Sequence, residues 1–175
     1  SDIEDRLLIN NGACFFSDQT SARMPATMIA SGFGTAGVIL DINGDGVNEF
    51  ILAGTSVEKP LPEIIENNLV ALHQVYEGAR RNKVRRIVFA SSNHAFGMHS
   101  VATKLEPDAP FRPDGCYGLS KAWGESMARM YWDKHGIEGI SLRIGSCEKE
   151  PANFRHLSTW LSHADTVHLV MRCIS

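Results

Sequence analysis

Hydrophobic positions along the chain change their periodicity near residue 54. Before this point, short apolar runs alternate with turn-forming residues, and after it apolar residues recur at helical spacing up to about Ala79. Pro60 and Pro62 can open that helix, and basic residues follow its end. We therefore predict one helix after residue 60 and four short strands before it, at 6–9, 14–16, 36–40 and 49–53.

The rest of the chain alternates between strands and helices. Residues 87–90 are a continuous apolar run, typical of a strand that is buried on both faces of a parallel sheet. A helix is predicted from about 115 to 135, where Gly136 ends it, and 140–144 is the next strand. This order predicts an α/β fold, with a partial Rossmann-like, doubly wound parallel sheet preceded by a short β-meander segment.

Composition narrows the classes of function. The chain has 175 residues and a net charge of −3, which argues against nucleic acid as a main partner. No apolar run approaches the ~20 residues of a membrane helix, so no membrane association is expected. Four widely spaced cysteines without a metal pattern are expected to be reduced thiols in a cytoplasmic protein. The net charge is −5 in residues 1–54 and +2 afterwards, which suggests two origins.

A serine pair and a Tyr–Lys pair lie where an alcohol oxidation would need them. Ser91 and Ser92 follow the strand at 87–90, at an end where such sheets bind ligands. Tyr117 and Lys121 are four residues apart, so they share one helix face. A nearby ammonium group is expected to lower the pKa of Tyr117, whose phenolate could take a proton from a substrate hydroxyl. The alternative is a core tyrosine and a surface lysine, but the order of strand, serines and helix favours catalysis.

Five segments carry a closer resemblance. These segments are GTSVEKP (54–60), IVFASSNH (87–94), RPDGCYGLSKAWGE (112–125), RIGSC (143–147) and STWLSH (158–163). Together they resemble the uronate dehydrogenases, which are extended short-chain dehydrogenase/reductases of the NAD-dependent epimerase/dehydratase type.

This resemblance implies a role for each matching residue. Tyr117 would be the catalytic base, Lys121 would assist it and hold the nicotinamide ribose, and Ser92 would be the catalytic serine. The cofactor side would also include Asn68 and Ile144. Substrate contacts would come from Ser56, Asn93, His94 and Ser146, with Arg155 gripping the carboxylate.

The same resemblance implies a reaction and partners. The reaction is the NAD-dependent oxidation of glucuronate or galacturonate at the anomeric carbon, which gives an aldarolactone. A sugar acid would be the small-molecule partner, and the chain would form a homo-oligomer.

The first third of the chain suggests a different ancestry. Residues 32–37 fit G-x-G-x-x-G, but the turn-rich DINGDG segment follows within one turn, so no dinucleotide-binding helix is predicted there. Residues 31–54, with 6–20 before them, instead resemble an FG-GAP or VCBS calcium-loop repeat. Its calcium ligands would be the oxygens of Asp41, Asn43, Asp45 and Glu49. The alternative is a plain Asp/Asn/Gly turn.

These resemblances divide the chain into a β-rich segment at 1–53 and a truncated dehydrogenase domain at 54–175. Residues 50–54 are expected to form a strand that serves both. Without the usual glycine-rich turn, NAD binding is expected to be weak and turnover impaired, because remote binding energy helps to orient the reacting groups. The alternative function is a calcium-binding structural or adhesion-type module with an inactive dehydrogenase remnant.

Overall fold

The computed structural model describes residues 8–10, 16–18, 36–40, 46, 49–53 and 59–174. The backbone places strands β1 (Leu8–Asn10) and β2 (Phe16–Asp18) in an antiparallel pair. Both predicted strands are confirmed, shifted by about two residues. No helix in the described ranges is long and apolar enough to cross a lipid bilayer.

A mixed sheet of four strands contains the remaining strands, in the order β3–β4–β5–β6. Strand β4 pairs antiparallel with β3 on one side and parallel with β5 on the other, and β5 is parallel to β6. Strand β4 therefore pairs with strands on both sides of residue 54, while the division of the chain into two segments that share it stays a prediction. The bounds are β3 Ala36–Leu40, β4 Glu49–Ala53, β5 Arg86–Ser92 and β6 Glu138–Ile144.

The helix that leads into β5 contains a wide turn. Helix α1 (Leu61–Ile64) continues into a π-helical segment (Ile65–Val70) and then into helix α2 (Ala71–Arg81). Its buried face follows a spacing of about four residues and consists of Ile64, Asn68, Leu72, Tyr76 and Ala79. The predicted helix is confirmed, whereas the π-helical turn had no recognised sequence signal.

Helix α3 (Cys116–His135) packs with α2 over one face of β5. The contact is close because Gly124 lacks a side chain: a Cβ there would come within 2.5 Å of the Phe89 ring and 2.9 Å of Leu72. Gly136 ends the helix in the left-handed region, with φ of 69°. The predicted bounds of this helix, and the strand after it, are confirmed.

Helix α4 (His163–Ile174) covers the opposite face of β5. Ile87 and Phe89 point towards α2 and α3, so the alternation of a strand directs Val88 to the other face, where Ile174 is fully buried. Helices on both faces make the sheet doubly wound, and the predicted α/β class is confirmed. Helix α4 was not predicted from the sequence, although Ser162 caps it by accepting from the Asp165 N–H at 3.0 Å.

Two tyrosine rings contact each other, with their planes tilted by 42°, in the core between α2 and α3. The rings of Tyr76 and Tyr131 are 4.8 Å apart and both are buried. The Tyr131 hydroxyl donates to Glu77 Oε1 at 2.7 Å, whereas the Tyr76 hydroxyl has no hydrogen-bond partner among the described residues. The same functional group is thus satisfied in one ring and unsatisfied in the other.

Deleting the two hydroxyls should change stability in opposite directions. We expect Tyr76→Phe to raise the free energy of unfolding by up to about 1 kcal/mol, because it removes a buried group that lacks a partner. Tyr131→Phe should lower it by about 1–2 kcal/mol, because its partner is a carboxylate. Urea unfolding followed by tryptophan fluorescence measures both values. A loss of stability in Tyr76→Phe would show that its hydroxyl is bonded in solution.

Candidate active site

Ser92 ends strand β5 and begins the candidate site. Its Oγ accepts a hydrogen bond from the His94 N–H at 3.2 Å and lies 3.3 Å from Asn93 Oδ1. These contacts start a short 3₁₀ helix, Asn93–Phe96, immediately beyond the strand. The serine is 5% exposed, so its hydroxyl is fixed at the carboxyl end of the sheet, where an α/β fold receives its ligands.

Helix α3 directs Tyr117 and Lys121 to the same end of the sheet. The Lys121 side chain is buried, and its Nζ donates to the carbonyl oxygen of Ala90 at 2.8 Å. The ammonium also lies 5.1 Å from the centroid of the Phe89 ring and 5.2 Å from that of Tyr117. Burial lowers the pKa of Lys121 to about 8. The alternative of a surface lysine is therefore wrong.

The expected effect of Lys121 on Tyr117 is not seen. Burial raises the pKa of Tyr117 above its ordinary value, and a hydrogen bond with the Ser92 hydroxyl acts in the opposite direction. The prediction of a lowered pKa is wrong for this site, because burial of the phenol has the largest effect and Lys121 directs its ammonium group to a backbone carbonyl. The same contact between hydroxyls indicates that Ser92 and Tyr117 are close to each other, while their catalytic roles stay a prediction.

Asn68 supports the helix that carries Tyr117. It belongs to the buried face of the π-helical segment, and its Nδ2 donates to Ser120 Oγ at 2.9 Å. Ser120 in turn donates to the carbonyl oxygen of Tyr117 at 2.7 Å. A wide helical turn is a common feature of functional sites, and here it carries the asparagine in this chain of hydrogen bonds. The structure thus joins Asn68 to the site through Ser120, a residue that the sequence analysis did not consider.

His94 lies beside Tyr117 and is held by a carboxylate. The two rings meet edge to face with centroids 5.7 Å apart. His94 Nδ1 lies 2.8 Å and 3.0 Å from the two carboxylate oxygens of Asp114. Asp114 was also missed by the sequence analysis, since nothing in its spacing from His94 indicates contact. Its position within the matching segment RPDGCYGLSK was the signal available.

A second carboxylate braces the strand ends. Glu125 on α3 accepts from Ser91 Oγ, and Arg143 of β6 donates to both of its carboxylate oxygens, with Nη2 2.9 Å from Oε2. The Arg143 guanidinium lies 4.0 Å from the centroid of the Phe96 ring. These contacts join β5, β6 and α3 directly behind Ser92. The sequence analysis missed this network, because the contacts depend on the packing of three separate elements.

The other predicted site residues have mixed outcomes. Ile144 pairs with Ser92 in the sheet, and Ser146 follows two residues later, bound through its backbone to Thr159. Arg155 is exposed, and its side chain makes no hydrogen bond or ion pair within the described ranges. Its approach to the site stays a prediction. Ser56 lies outside the described residues.

The predicted calcium ligands cannot be placed. Asp41, Asn43 and Asp45 lie outside the described residues, and of Glu49 only the backbone, at the start of β4, is described. Elsewhere in the described chain, no group of three His, Cys, Asp or Glu side chains could hold a metal ion. Cys116, Cys147 and Cys173 are free thiols, as expected.

The chain is similar to known proteins of one family. The model of the NAD dependent epimerase/dehydratase family matches residues 47–158. The uronate dehydrogenase of Agrobacterium fabrum is 54% identical over 119 residues, which cover 68% of this chain and 45% of that protein. The uronate dehydrogenase of Pseudomonas syringae pv. tomato is 45% identical over 131 residues, covering 74% and 48%.

Solved structures give the same picture. The crystal structure of uronate dehydrogenase from Agrobacterium tumefaciens has a TM-score of 0.67 and 52% identity, and covers 69% of this chain and 46% of that one. A tyrosine-to-alanine mutant of that enzyme complexed with NAD has a TM-score of 0.65, with coverage of 67% and 44%. The chain spans about half the length of the relatives it matches.

Replacing the buried lysine should stabilise the fold in a pH-dependent manner. Below pH 8, Lys121 is charged in both the folded and unfolded states, so the folded state bears the full cost of burying the charge. Between pH 8 and 10.5 the unfolded state binds more protons, so this cost disappears as the pH rises. We expect Lys121→Met to raise the free energy of unfolding by on the order of 2 kcal/mol at pH 7 and to change it little at pH 10.

Urea unfolding at the two pH values tests this expectation. Lys104→Met is the matched control, because that side chain is 91% exposed and its loss should change stability equally little at both. A gain for Lys121→Met that is the same at pH 7 and pH 10 would contradict the proposed origin in charge burial.

Proposed function

The chain belongs to the NAD dependent epimerase/dehydratase family, and from that premise we propose that it carries the catalytic groups of a uronate dehydrogenase. The observation that supports this most directly is the meeting of Ser92, Tyr117 and Lys121 at the carboxyl end of β5. The relatives at 45–54% identity are uronate dehydrogenases, and this supports a hexuronate as the substrate class. The proposed product of oxidation at the anomeric carbon is an aldarolactone.

The described residues suit the nicotinamide end of NAD. Of the three N–H groups on Lys121 Nζ, the described hydrogen bond uses one, which leaves two that could bind ribose hydroxyls. Tyr117 lies beside Lys121, Asn68 supports the Tyr117 turn, and Ile144 offers an apolar contact next to Ser92. When bound, NAD would accept the hydride that leaves the anomeric carbon.

Tyr117 and Ser92 would both act on the oxygen of the anomeric hydroxyl, in different roles. The tyrosine oxygen takes the proton of the anomeric hydroxyl as the C–O bond becomes a carbonyl. The Ser92 hydroxyl donates to that oxygen and holds it beside the phenol. Burial raises the pKa of Tyr117, so the active phenolate form is scarce near neutral pH. Its population grows as the pH rises, and we propose that activity increases from neutral towards alkaline pH.

Removing the Tyr117 hydroxyl should strongly slow the oxidation. With NAD and glucuronate or galacturonate, we expect Tyr117→Phe to reduce kcat/KM by about 10²–10⁴-fold, the usual contribution of a general base. Tyr76→Phe is the matched control, because it deletes the same atom from a buried ring in the core. The absorbance of reduced nicotinamide follows the reaction. Equal activity in wild type and Tyr117→Phe would rule out this mechanism.

Calcium binding in the first third is a second proposal. Gly46 has φ of 82°, a left-handed conformation at the sixth position of the loop between the antiparallel strands β3 and β4. A calcium loop needs a glycine there for its sharp turn, and Asp41, Asn43, Asp45 and Glu49 would supply the oxygens. An FG-GAP or VCBS ancestry of residues 6–54 belongs to this proposal.

A calcium titration of thermal stability separates this proposal from a plain turn. If calcium binds the folded chain, Tm should rise with calcium concentration according to mass action. Asp41→Ala should remove this rise, while Asp108→Ala, in an exposed loop, should retain it. A Tm that does not respond to calcium leaves the loop as an ordinary Asp/Asn/Gly turn.

A further inference from the structure

We propose that Asp114 is a positioning residue, which fixes His94 in the tautomer that presents Nε2 as a hydrogen-bond acceptor to a substrate hydroxyl. The proposal goes beyond the catalytic Ser–Tyr–Lys group. The recognition of a substrate hydroxyl by His94 rests on the proposed dehydrogenase function. The tautomer of His94 does not depend on that function.

The carboxylate faces a single nitrogen of the imidazole. Both oxygens of Asp114 lie within 3.0 Å of His94 Nδ1, and a carboxylate can only accept. A neutral His94 must therefore carry its proton on Nδ1, which leaves the lone pair on Nε2. This is the reverse of the tautomer that an imidazole favours in water, so the protein has to impose it.

The slot for this carboxylate is built by two glycines. A Cβ at Gly97 would overlap the carboxylate of Asp114, and a Cβ at Gly118 would approach its Oδ1 to 3.2 Å and overlap the carbonyl oxygen of His94. Gly97 has φ of −61°, which any residue can adopt, so its backbone conformation does not require glycine. Glycine is needed at position 97 because the absence of a side chain there leaves space for the Asp114 carboxylate.

Backbone hydrogen bonds hold the two segments in register. The Asp114 N–H donates to the carbonyl oxygen of His94 at 3.3 Å, and the Arg112 N–H donates to that of Ala95 at 3.1 Å. The Met98 N–H donates to the carbonyl oxygen of Arg112 at 2.9 Å. The His94–Asp114 contact therefore lies within a rigid two-segment unit, which presents the imidazole next to the Tyr117 ring.

This arrangement determines what His94 can recognise. A lone pair on Nε2 accepts from a hydroxyl group and repels a carboxylate, so a neutral His94 selects for a hydrogen-bond donor on the substrate. Since the imidazole is next to Tyr117, the recognised hydroxyl would be one near the reacting carbon. The carboxylate of a sugar acid would have to bind elsewhere.

Long-range proton–nitrogen NMR spectra of the ¹⁵N-labelled protein test the tautomer without any need for activity. At about pH 8.5, roughly two units above the ordinary histidine pKa, most imidazoles are neutral. A His94→Gln sample assigns the signals. We expect wild-type His94 to be protonated at Nδ1. In Asp114→Asn the amide NH₂ can donate to Nδ1, so the proton should move to Nε2.

Gly97→Ala tests the same contact while both partners remain. The added methyl group should displace the carboxylate, and His94 should lose its preference for the Nδ1–H form. Gly115→Ala is the control, since a Cβ there meets nothing within 4 Å, and it should retain the wild-type tautomer. Wild-type His94 protonated at Nε2, or a tautomer that is unchanged in both Asp114→Asn and Gly97→Ala, would overturn the proposal, because the amide oxygen of asparagine alone could still accept from Nδ1–H.

Kinetics then separate this inference from the proposed function. If the chain oxidises uronates, Asp114→Asn should lower kcat/KM by about 10–100-fold, as expected when the group that orients a functional imidazole is lost. Its Tm should stay close to that of wild type. Wild-type kcat/KM in Asp114→Asn despite an altered tautomer would overturn the role of His94 in substrate recognition. An absence of turnover in every variant would count against the dehydrogenase function and leave the NMR result as the test of the tautomer.

Discussion

The site depends on the burial of one positive charge, the ammonium group of Lys121, beneath the end of β5. A buried cation needs partners, and Lys121 finds them in the Ala90 carbonyl and in two aromatic faces. These contacts are possible only because α3 lies very close to the strand. Gly124 permits that approach against the core, and Gly118 permits it against the loop after β5. Lys121 lies between these two glycines and Tyr117 directly precedes the first, so packing along the helix places both side chains.

The sequence predicts the features of this fold and site that arise from local patterns. It does not predict those that arise from contacts between residues far apart in the chain. The strands and the two long helices follow from local periodicity and glycine stops, and the Tyr117–Lys121 pair follows from helical spacing alone. Contacts between distant segments had no such signal. The bond from Asn68 to Ser120 spans 52 residues and joins two helices, one of which has a π-helical turn. The Asp114–His94 and Glu125–Arg143 pairs likewise arise from tertiary packing, so the sequence named His94 but not the carboxylate that orients it.

The pKa of Tyr117 illustrates the same limit. From spacing, the neighbouring ammonium should lower it, since an opposite charge favours the ionised form. In the folded chain, desolvation of the phenol has the larger effect, and Lys121 directs its ammonium towards a carbonyl oxygen. The burial that places the two side chains together therefore also opposes the ionisation that catalysis needs. A substrate hydroxyl that competes for the Ser92 and Tyr117 hydroxyls would change this balance within the site.

Protein contacts orient the described groups of the site, and this bears on how binding energy would be used. Lys121 is fixed by a backbone carbonyl, the Tyr117 turn by Ser120, and His94 by Asp114. Catalytic groups that folding has already oriented need little further ordering when a ligand arrives. Energy from remote parts of a cofactor is then needed mainly to hold that cofactor in place. For such a site, weak contacts to the distant half of NAD would raise the concentration needed for saturation more than they would slow the bound complex.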